Sequence, residues 1–547
     1  MSVFYFLLQG SRRSIALIGL TGLVSGVCGA GLIALINFAL HDTQTSSFVL
    51  GLGFLALMTG KILTGAFSQQ FLFRLSQRTT LEMSVSLSRE LAYSSLRRVE
   101  CIGTPRIMAI LADDVQALGA AIQSVPSFMA NFALLAGCSV YLLLLSWKAF
   151  LMLLVPALFG FLIYRMMLAK TQVSLKIVRE KRDTLYGHFR SLTEGVKELR
   201  INRTRRWDFL ENHLSKTIEE LKFHGQTAIR CYVWTDAINQ VFFYSVLGLL
   251  LFGIPSLSRL PVATQTGYVF AIIYLMGPIW ALIYALPSLQ KGRIALEKIE
   301  EFRRSLSTDP GSASQRDDPI LPWKTLQMQD IVFSYEDGDE GDSRQGFVLG
   351  PIDFQLSPGE LVFVVGGNGC GKSTFVKLLC GLYKPRSGKI LLDGRRMTDG
   401  EMESYRQYFS VVFSDFFLFD SLLGVWSASQ ESRVHQYLSL LQLDKKVSIR
   451  EGRFSTIALS QGQRRRLALL GAYLEDRPIY VFDEWAADQD PAYKEVFYKS
   501  LLPELRRKGK GVVVITHDDR YFGLGDRVVK LDYGTVLEVS PNAAVLS

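Results

Sequence analysis

The chain has 547 residues, of which 49% are hydrophobic and 20% are charged, and its formal net charge is +9 at pH 7. That length favours more than one domain, and a mean hydropathy of +0.20 is too apolar for a soluble enzyme and too mild for a purely membrane-embedded protein. The composition therefore predicts a membrane part joined to a soluble part. The positive charge fits a positive-inside bias, and because no nucleic-acid-reading motif accompanies it, no nucleic-acid partner is expected.

The first half of the chain carries six apolar runs long enough to span a bilayer, for which about 20 residues suffice. They are residues 14–40, 48–67, 128–146, 149–168, 241–257 and 263–286. Basic residues precede the first run and cluster after the second and the fourth, whereas the alternate loops are short and poor in bases. The positive-inside rule therefore predicts that both termini are cytoplasmic.

Lys61 is a charge inside the second run, where it either faces a functional cavity or snorkels towards the cytoplasmic surface. Of these two interpretations the sequence favours snorkelling.

Residues 71–98 and 171–232 combine helical periodicity with mixed charge, which predicts cytoplasmic extensions of the membrane helices. The composition of residues 307–319 indicates a linker, predicted at 301–324, between a transmembrane domain at 1–300 and a soluble domain at 325–547.

The soluble part contains a phosphate-binding loop. The stretch "FVVGGNGCGKSTF", from Phe363 to Phe375, places the pattern G-x-x-x-x-G-K-[ST] between an apolar strand and an amphipathic helix. Glycines let backbone amides approach an anion closely. Lys372 is predicted to reach the β- and γ-phosphates of a nucleotide and Ser373 to hold Mg²⁺. The other predicted contact residues of the loop are Gly366, Asn368, Gly369, Gly371 and Thr374.

Four further features follow the pattern of a nucleotide-hydrolysing site. Asp483 and Glu484 end an apolar strand, where the first carboxylate can hold Mg²⁺ and the second can orient the attacking water. His517 ends another apolar strand and is a candidate γ-phosphate sensor. The turn that contains Ser460, Gly462 and Gln463 opens a helix and is a candidate anion site. Tyr335 is a candidate for stacking on a purine ring.

The order of these motifs along the chain resembles that of the ATP-binding cassette (ABC) family, and six spans ahead of one cassette are similar to an exporter-type half-transporter. The resemblance implies an all-α six-helix transmembrane domain followed by an α/β P-loop ATP-binding cassette that uses ATP and Mg²⁺. It also implies that Leu459–Gln463 is the signature motif, which acts on the partner's ATP. Glu484 would be the catalytic base, Asp488–Asp490 the D-loop and His517 the switch histidine.

Two positions depart from the family pattern. Gln461 stands where the signature "LSGGQ" has a glycine. Ser414 stands where the Q-loop has a glutamine, and its side chain is shorter than a glutamine that reaches Mg²⁺. Either Asp415 or a water molecule would then replace that glutamine.

The stretches "FDEWAADQDP" and "SYEDG" narrow the resemblance to the group that exports cyclic peptides, lasso peptides and siderophore precursors of the pyoverdine type. One phosphate loop and one signature per chain imply a homodimer in the lipid of a bacterial inner membrane. The leading hypothesis is ATP-driven export of a peptide or siderophore precursor to the periplasm by alternating access. The alternatives are a lipid or multidrug exporter and an ATP-gated channel or regulator. A drug-like cavity would be lined by Tyr244, Phe270, Tyr274, Trp280 and Tyr284.

Overall fold

The computed structural model describes residues 12–41, 45–253, 261–306, 320–335 and 346–539. The chain divides into two compact units, Met1–Glu82 with Asp114–Glu297 and Met83–Asp113 with Lys298–Ser547. The second unit therefore combines the soluble domain with a segment from the first half of the chain, a grouping that the sequence does not predict. Part of the predicted linker, residues 307–319, lies outside the described residues, as do the acidic residues 337–345.

Helices make up the described first half of the chain. They are α1 (Arg12–His41), α2 (Ser47–Ala92), α3 (Leu96–Ile102), α4 (Thr104–Ala109), α5 (Val115–Leu145), α6 (Trp147–Glu194), α7 (Val196–Ile201), α8 (Arg203–Asp208), α9 (Lys216–Gly248) and α10 (Val262–Ser305), with π-helical turns at Ile110–Asp114, Phe209–Ser215 and Leu249–Gly253.

Five helices of the described part are long and apolar enough to cross a membrane. They are Gly19–His41, Ser47–Ala92, Thr104–Leu145, Asp236–Gly253 and Val262–Ser305. These helices carry five of the six predicted spans, although residues 254–257 of the fifth span lie outside the described part. The fourth predicted span falls on α6, which contains the apolar stretch Trp147–Gly160.

The predicted extensions are largely helical, but neither is one continuous helix. Helix α2 runs without a break to Ala92, and residues 93–95 separate it from α3. The segment 171–232 is interrupted at Gly195 and Asn202. Asn202 ends one helix and begins the next, because its Oδ1 accepts a hydrogen bond from the backbone N of Arg205 at 3.0 Å.

Tyrosines connect the helices of the first unit. The fully buried Tyr268 of α10 shares its one hydroxyl hydrogen between the carbonyls of Leu142 (2.7 Å) and Ser146 (2.8 Å) at the end of α5. The ammonium of Lys61 on α2 donates to the hydroxyl of Tyr274 on α10. That contact favours the interior alternative for Lys61 over snorkelling. Tyr274 thus contacts a charged side chain rather than lining an aromatic cavity alone.

The second unit has the expected α/β fold. Its strands are β1 (Leu326–Ser334), β2 (Val348–Leu356), β3 (Leu361–Gly366), β4 (Ser387–Leu392), β5 (Arg395–Arg396), β6 (Phe409–Val412), β7 (Ile449–Arg450), β8 (Arg453–Phe454), β9 (Ile479–Asp483), β10 (Gly511–Ile515), β11 (Arg527–Asp532) and β12 (Thr535–Val539). Its helices are α11 (Lys372–Leu379), α12 (Met402–Arg406), α13 (Glu431–Leu440), α14 (Gln461–Glu475), α15 (Pro491–Val496) and α16 (Leu502–Arg507), with a π-helical turn at Phe497–Leu501 and 3-10 turns at Asp399–Glu401, Ala428–Gln430, Trp485–Asp488 and Asp519–Leu524.

The main sheet has the order β12-β11-β3-β10-β9-β6 and is parallel except for the β11–β12 pair. An antiparallel sheet has the order β2-β1-β4-β5. Strands β9 and β10 are buried along their whole length, which explains their continuous apolar sequences. Because parallel strands end at the same edge, the residues after β3, β9 and β10 meet there.

Candidate functional site

The phosphate loop joins β3 to α11, and its backbone geometry requires glycine at two positions. Gly371 has a φ of +106°, and a Cβ there would lie 2.8 Å from Cδ1 of Leu349. A Cβ at Gly366 would lie only 2.4 Å from the carbonyl oxygen of Leu531. A side chain at either position would collide with the neighbouring strands, so the bare backbone of the loop follows from close packing as well as from phosphate binding.

Lys372 lies at the mouth of this loop with its side chain 7% exposed. Its ammonium donates to the carbonyls of Gly366 (3.0 Å) and Gly367 (2.9 Å). A triphosphate would offer the ammonium negatively charged oxygens in place of these neutral carbonyls and would therefore bind it more strongly. The adjacent Ser373 and the predicted contacts Asn368 and Gly369 are exposed to solvent.

Glu484 lies between two of the other predicted site residues. Its Oε1 is 3.3 Å from Nε2 of His517 and 3.8 Å from Nζ of Lys372. Its backbone has a φ of +50° and is tied to β10 through a hydrogen bond from the Glu484 N to the carbonyl of Ile515. Such a conformation is uncommon for a non-glycine residue and is concentrated at functional sites.

A cavity of 260 Å³ opens beside this carboxylate. It is lined by Glu484, Ala486, Ala487, Lys494, Thr516, His517, Asp518 and Arg520. Arg520 donates to Asp518 at 2.9 Å and lowers the pKa of that carboxyl. The Asp518 carboxylate that lines the cavity is therefore paired with Arg520 rather than left as a free negative charge beside Glu484.

Asp483, the last residue of β9, is almost completely buried. Burial raises the pKa of Asp483, the neighbouring carboxylates Glu484 and Asp415 raise it further, and a hydrogen bond from Ser414 lowers it. The Oγ of Ser414 donates to Oδ2 of Asp483 at 3.0 Å. Ser414, which stands at the position of the Q-loop glutamine, thus contacts this carboxylate, whereas Asp415, the candidate replacement, is exposed to solvent.

The available oxygen atoms suit Mg²⁺ better than a metal that needs a full protein cage. Among the described residues, no group of three or more His, Cys, Asp or Glu side chains could hold a metal ion. Mg²⁺ is usually bound through one or two carboxylates together with phosphates and waters. The Asp483 carboxylate and the exposed Ser373 hydroxyl fit that requirement.

The signature turn begins α14 and is not joined to the phosphate loop. Ser460 is the N-cap: its Oγ accepts from the backbone N of Gln463 at 3.4 Å, and Oε1 of Gln463 accepts from the Ser460 N at 3.3 Å. Within the described part of the chain, no hydrogen bond connects these residues to Lys372 or Ser373. The structure thus brings together Lys372, Glu484 and His517 but leaves the exposed Ser460 outside that group.

Two residues join the signature helix to the predicted D-loop, and sequence reasoning missed one of them, Arg465. Arg465, buried on α14, donates to the carbonyl of Glu484 and forms an ion pair with Asp488 at 3.0 Å. Nε2 of Gln489 donates to the carbonyl of Gly462 at 3.0 Å. The three consecutive arginines after the signature indicate that a cation lies near this helix start, but the sequence does not show which of the three is buried.

The ring of Tyr335, which is predicted to stack on a purine, is covered by a residue from a distant part of the sequence. The side chain is buried, and its hydroxyl shares a hydrogen bond of 2.9 Å with Thr374. The guanidinium carbon of Arg97 lies 4.3 Å from the ring centroid. Arg97 comes from α3, a segment far away in sequence, so its position over Tyr335 has no local sequence signal.

Glu100, also on α3, connects the same segment to the cassette. Its Oε1 lies 2.6 Å from Nζ of Lys377, and its Oε2 accepts a hydrogen bond from the hydroxyl of Tyr383. Burial and the adjacent Glu100 carboxylate raise the pKa of Tyr383. Residues 83–113 are therefore an integral part of the second unit.

Comparison with known proteins identifies both parts of the chain. A family described as "ABC transporter transmembrane region" matches residues 14–279, and one described as "ABC transporter" matches residues 349–487. The chain is 36% identical over 535 residues to the ATP-binding protein SyrD of Pseudomonas syringae pv. syringae. The aligned region covers 95% of this chain and 93% of SyrD.

Two more distant relatives match about half of the chain, and the chain spans about half of their length. The mycobactin import ATP-binding/permease protein IrtB of Mycolicibacterium thermoresistibile is 28% identical over 294 residues, which cover 51% of this chain and 48% of that protein. The ATP-dependent lipid A-core flippase of Ralstonia nicotianae is 29% identical over 295 residues, with the same two shares.

Proposed function

The chain belongs to the ABC transporter family and is an ATPase-coupled, multi-pass membrane transporter, and from that premise we propose that it exports a peptide or siderophore precursor as a homodimer. The observation that carries the ATPase part is the grouping of Lys372, Glu484 and His517 around the phosphate loop. A cation that binds the phosphates and a carboxylate that orients the attacking water are parts of a phosphoryl-transfer site, and the imidazole lies against that carboxylate.

Each of these residues has a distinct role in the proposed reaction. The loop amides and Lys372 bind the β- and γ-phosphates and stabilise the charge that develops on them. Glu484 orients the attacking water and accepts its proton, and His517 fixes the Glu484 carboxylate through the contact between Nε2 and Oε1. Mg²⁺ bound by Ser373 and Asp483 would neutralise phosphate charge.

A homodimer supplies what one chain lacks. In the signature turn, Ser460 is exposed and Gly462 and Gln463 are half-buried at the start of α14, and among the described residues no hydrogen bond joins them to Lys372 or Ser373 of their own chain. In a symmetric dimer the same turn of the second copy can close over the first copy's ATP, and two sites form together. ATP would then favour the closed cassettes, and hydrolysis would separate them.

The substrate and the direction rest on resemblance. The motifs "FDEWAADQDP" and "SYEDG" are similar to those of exporters of cyclic peptides and siderophore precursors. The proposed path runs from the cytoplasm to the periplasm across a bacterial inner membrane, with both termini cytoplasmic. IrtB carries import in its name, so the direction needs its own measurement.

The test uses the full chain in inside-out proteoliposomes, with a fluorescent cyclic peptide added to the external medium. ATP-dependent accumulation of peptide inside the vesicles, lost in Glu484→Gln, supports export. Accumulation that occurs only in vesicles of the opposite orientation would reverse the direction. ATP hydrolysis without peptide movement in either orientation would refute the peptide proposal.

A lipid or multidrug exporter is the second candidate, and the similarity to the lipid A-core flippase favours it. Large apolar side chains of α9 and α10 such as Tyr244 and Tyr284 are exposed in the single chain. ATPase activity that is stimulated by lipids or drugs but not by peptides would move the assignment to this candidate. An ATP-gated channel would equilibrate the peptide and would not concentrate it.

A further inference from the structure

Lys61 is the one charged residue in the interior of the predicted spans. None of the six spans contains Asp or Glu, and the one other basic residue, Arg165, lies three positions from the cytoplasmic end of the fourth span. Lys61 follows the start of its span by 13 positions. At about 1.5 Å per helical residue this is roughly 20 Å into a hydrocarbon core of about 30 Å. The ammonium therefore belongs to the membrane interior.

The Lys61 side chain faces other helices rather than lipid. Its ammonium donates to the Tyr274 hydroxyl and lies 4.9 Å from the Tyr274 ring centroid. Ser25 Oγ of α1 donates to the backbone carbonyl of Lys61 at 3.2 Å. A Cβ at Gly29 of α1 would lie 3.6 Å from the Tyr274 hydroxyl and 3.8 Å from Cε of Lys61. The pair therefore lies beside α1, on the side where helices meet.

Within the described part of the chain, no carboxylate neutralises this charge. Among the described residues, no Asp or Glu oxygen lies within 4 Å of Nζ of Lys61. Tyr274 offers one neutral oxygen and a ring face, whereas an ammonium has three donors. The predicted spans of a second copy are equally free of Asp and Glu and would add no counter-charge of their own. An uncompensated charge in such surroundings is costly and is commonly functional.

We propose that Lys61 and Tyr274 bind a carboxylate, or a comparable anionic group, of the transported molecule. The proposal rests on the proposed transport function and gives its substrate a chemistry: an amphipathic molecule with an acidic group. Both Nζ of Lys61 and the Tyr274 hydroxyl can donate to one carboxylate, with the tyrosine changing from acceptor to donor. Lipid headgroups lie at the membrane surface, so the depth of Lys61 favours the transported molecule as the source of the anion.

The experiment measures binding of two dansylated apolar tripeptide amides to the full chain in phosphatidylcholine nanodiscs. The probes differ only in a glutamate or glutamine at the last position. We expect the acidic probe to bind wild type about tenfold more tightly, as one charge-assisted contact predicts. Lys61→Gln should bring the ratio close to one, Lys61→Arg should keep it, and Tyr274→Phe should reduce it.

Lys148→Gln is the matched control, because it removes a lysine from the loop between the third and fourth spans and should leave the ratio intact. Melting temperature and gel-filtration profile establish that every variant is folded. An unchanged ratio in Lys61→Gln, or no saturable binding of either probe to wild type, would overturn the anion site. So would a preference that disappears in phosphatidylglycerol nanodiscs, since a lipid headgroup would then be the anion.

The same variants separate this proposal from the export function. If wild type pumps the tripeptide that ends in glutamine at the same rate as the one that ends in glutamate, the export function stands and the anion site fails. If neither peptide is pumped while the acidic probe still binds through Lys61, the anion site stands and peptide export fails.

Discussion

Glu100 and Lys377 form an ion pair with 2.6 Å between Oε1 and Nζ, although 277 positions separate them in the sequence. The side chain of Lys377 is only 15% exposed and that of Glu100 only 28%. A segment from the first half of the chain therefore contributes a charge to the interior of the cassette unit.

We expect Glu100→Gln to lower the stability of this unit by about 1–3 kcal/mol, because the poorly exposed ammonium of Lys377 loses its counter-charge. The melting temperature of the full chain measures the effect. Lys377→Met should cost a similar amount, and the double variant should cost less than the sum of the two. Glu82→Gln, in the exposed pair with Arg78, is the control and should produce no measurable shift. Additive losses would show that the pair is not coupled.

Arg97→Ala should lower the KM for ATP. Removing the guanidinium exposes the Tyr335 ring to the purine, and a cation–π contact of about 0.5–2 kcal/mol corresponds to roughly two- to thirty-fold in affinity. Steady-state ATPase assays across ATP concentrations check it, with Arg97→Lys as the variant that keeps the cation. A KM that rises in Arg97→Ala would instead mean that this arginine helps to hold the nucleotide.

Glu484→Gln should reduce ATP hydrolysis by about 10²-fold or more while ATP binding persists, because the amide cannot accept a proton from water. Phosphate release measures the rate, and binding of a fluorescent ATP analogue measures affinity. Glu495→Gln, an exposed carboxylate paired with Lys499, is the matched control and should hydrolyse ATP normally. Comparable activity in both variants would remove Glu484 from the catalytic role.

The Mg²⁺ requirement should depend on the Asp483 carboxyl. Its pKa is raised by burial, so on acidification it takes up a proton at a higher pH than an ordinary aspartate and loses its negative charge for the metal. The Mg²⁺ concentration for half-maximal ATPase should therefore rise as the pH falls.

Ser414→Ala distinguishes this effect from titration of the nucleotide itself. It removes the hydrogen bond that lowers the pKa of Asp483, so the rise in Mg²⁺ requirement should begin at a higher pH than in wild type. Protonation of ATP itself affects wild type and variant equally when both are measured in the same buffers. Superimposable pH curves would exclude Asp483 as the titrating group.

Gly462→Ala should impair ATP hydrolysis and lower stability, because the added Cβ would lie 2.8 Å from the backbone carbonyl of Asp488. A small-to-large change of this kind costs about 1–3 kcal/mol. Gly471→Ala lies on the same helix, where a Cβ meets nothing within 4 Å, and should be neutral or stabilise the helix by up to about 1 kcal/mol. Melting temperature and ATPase rate of the two variants provide the comparison.

The cassette sheet and the phosphate loop were predictable because their signals are local. The apolar strand before Gly366 and the helix after Gly371 follow from short stretches of sequence, and the strand end at Asp483 does as well. The contacts of Arg97 and Glu100 were not predictable, since they join parts of the chain that are distant in sequence. The burial of Arg465 was missed for a related reason: three adjacent arginines look alike until packing selects one.

The membrane part shows the same distinction. Hydropathy located five of the helices that can span a bilayer, but it could not assign an environment to Lys61. Periodicity also predicted extensions without finding the breaks at Gly195 and Asn202, because a cap on a new helix depends on one side-chain hydrogen bond.

The packing of α3 against Tyr335, Lys377 and Tyr383 has a practical consequence for fragments of this protein. A cassette expressed alone from residue 320 onwards would lack Arg97 and Glu100, and would present to solvent a lysine and two tyrosines that are shielded in the whole chain. Nucleotide affinities and melting temperatures measured on such a fragment would therefore describe a different surface. Biochemical work on this ATPase requires the intact polypeptide, or a fusion that restores residues 83–113.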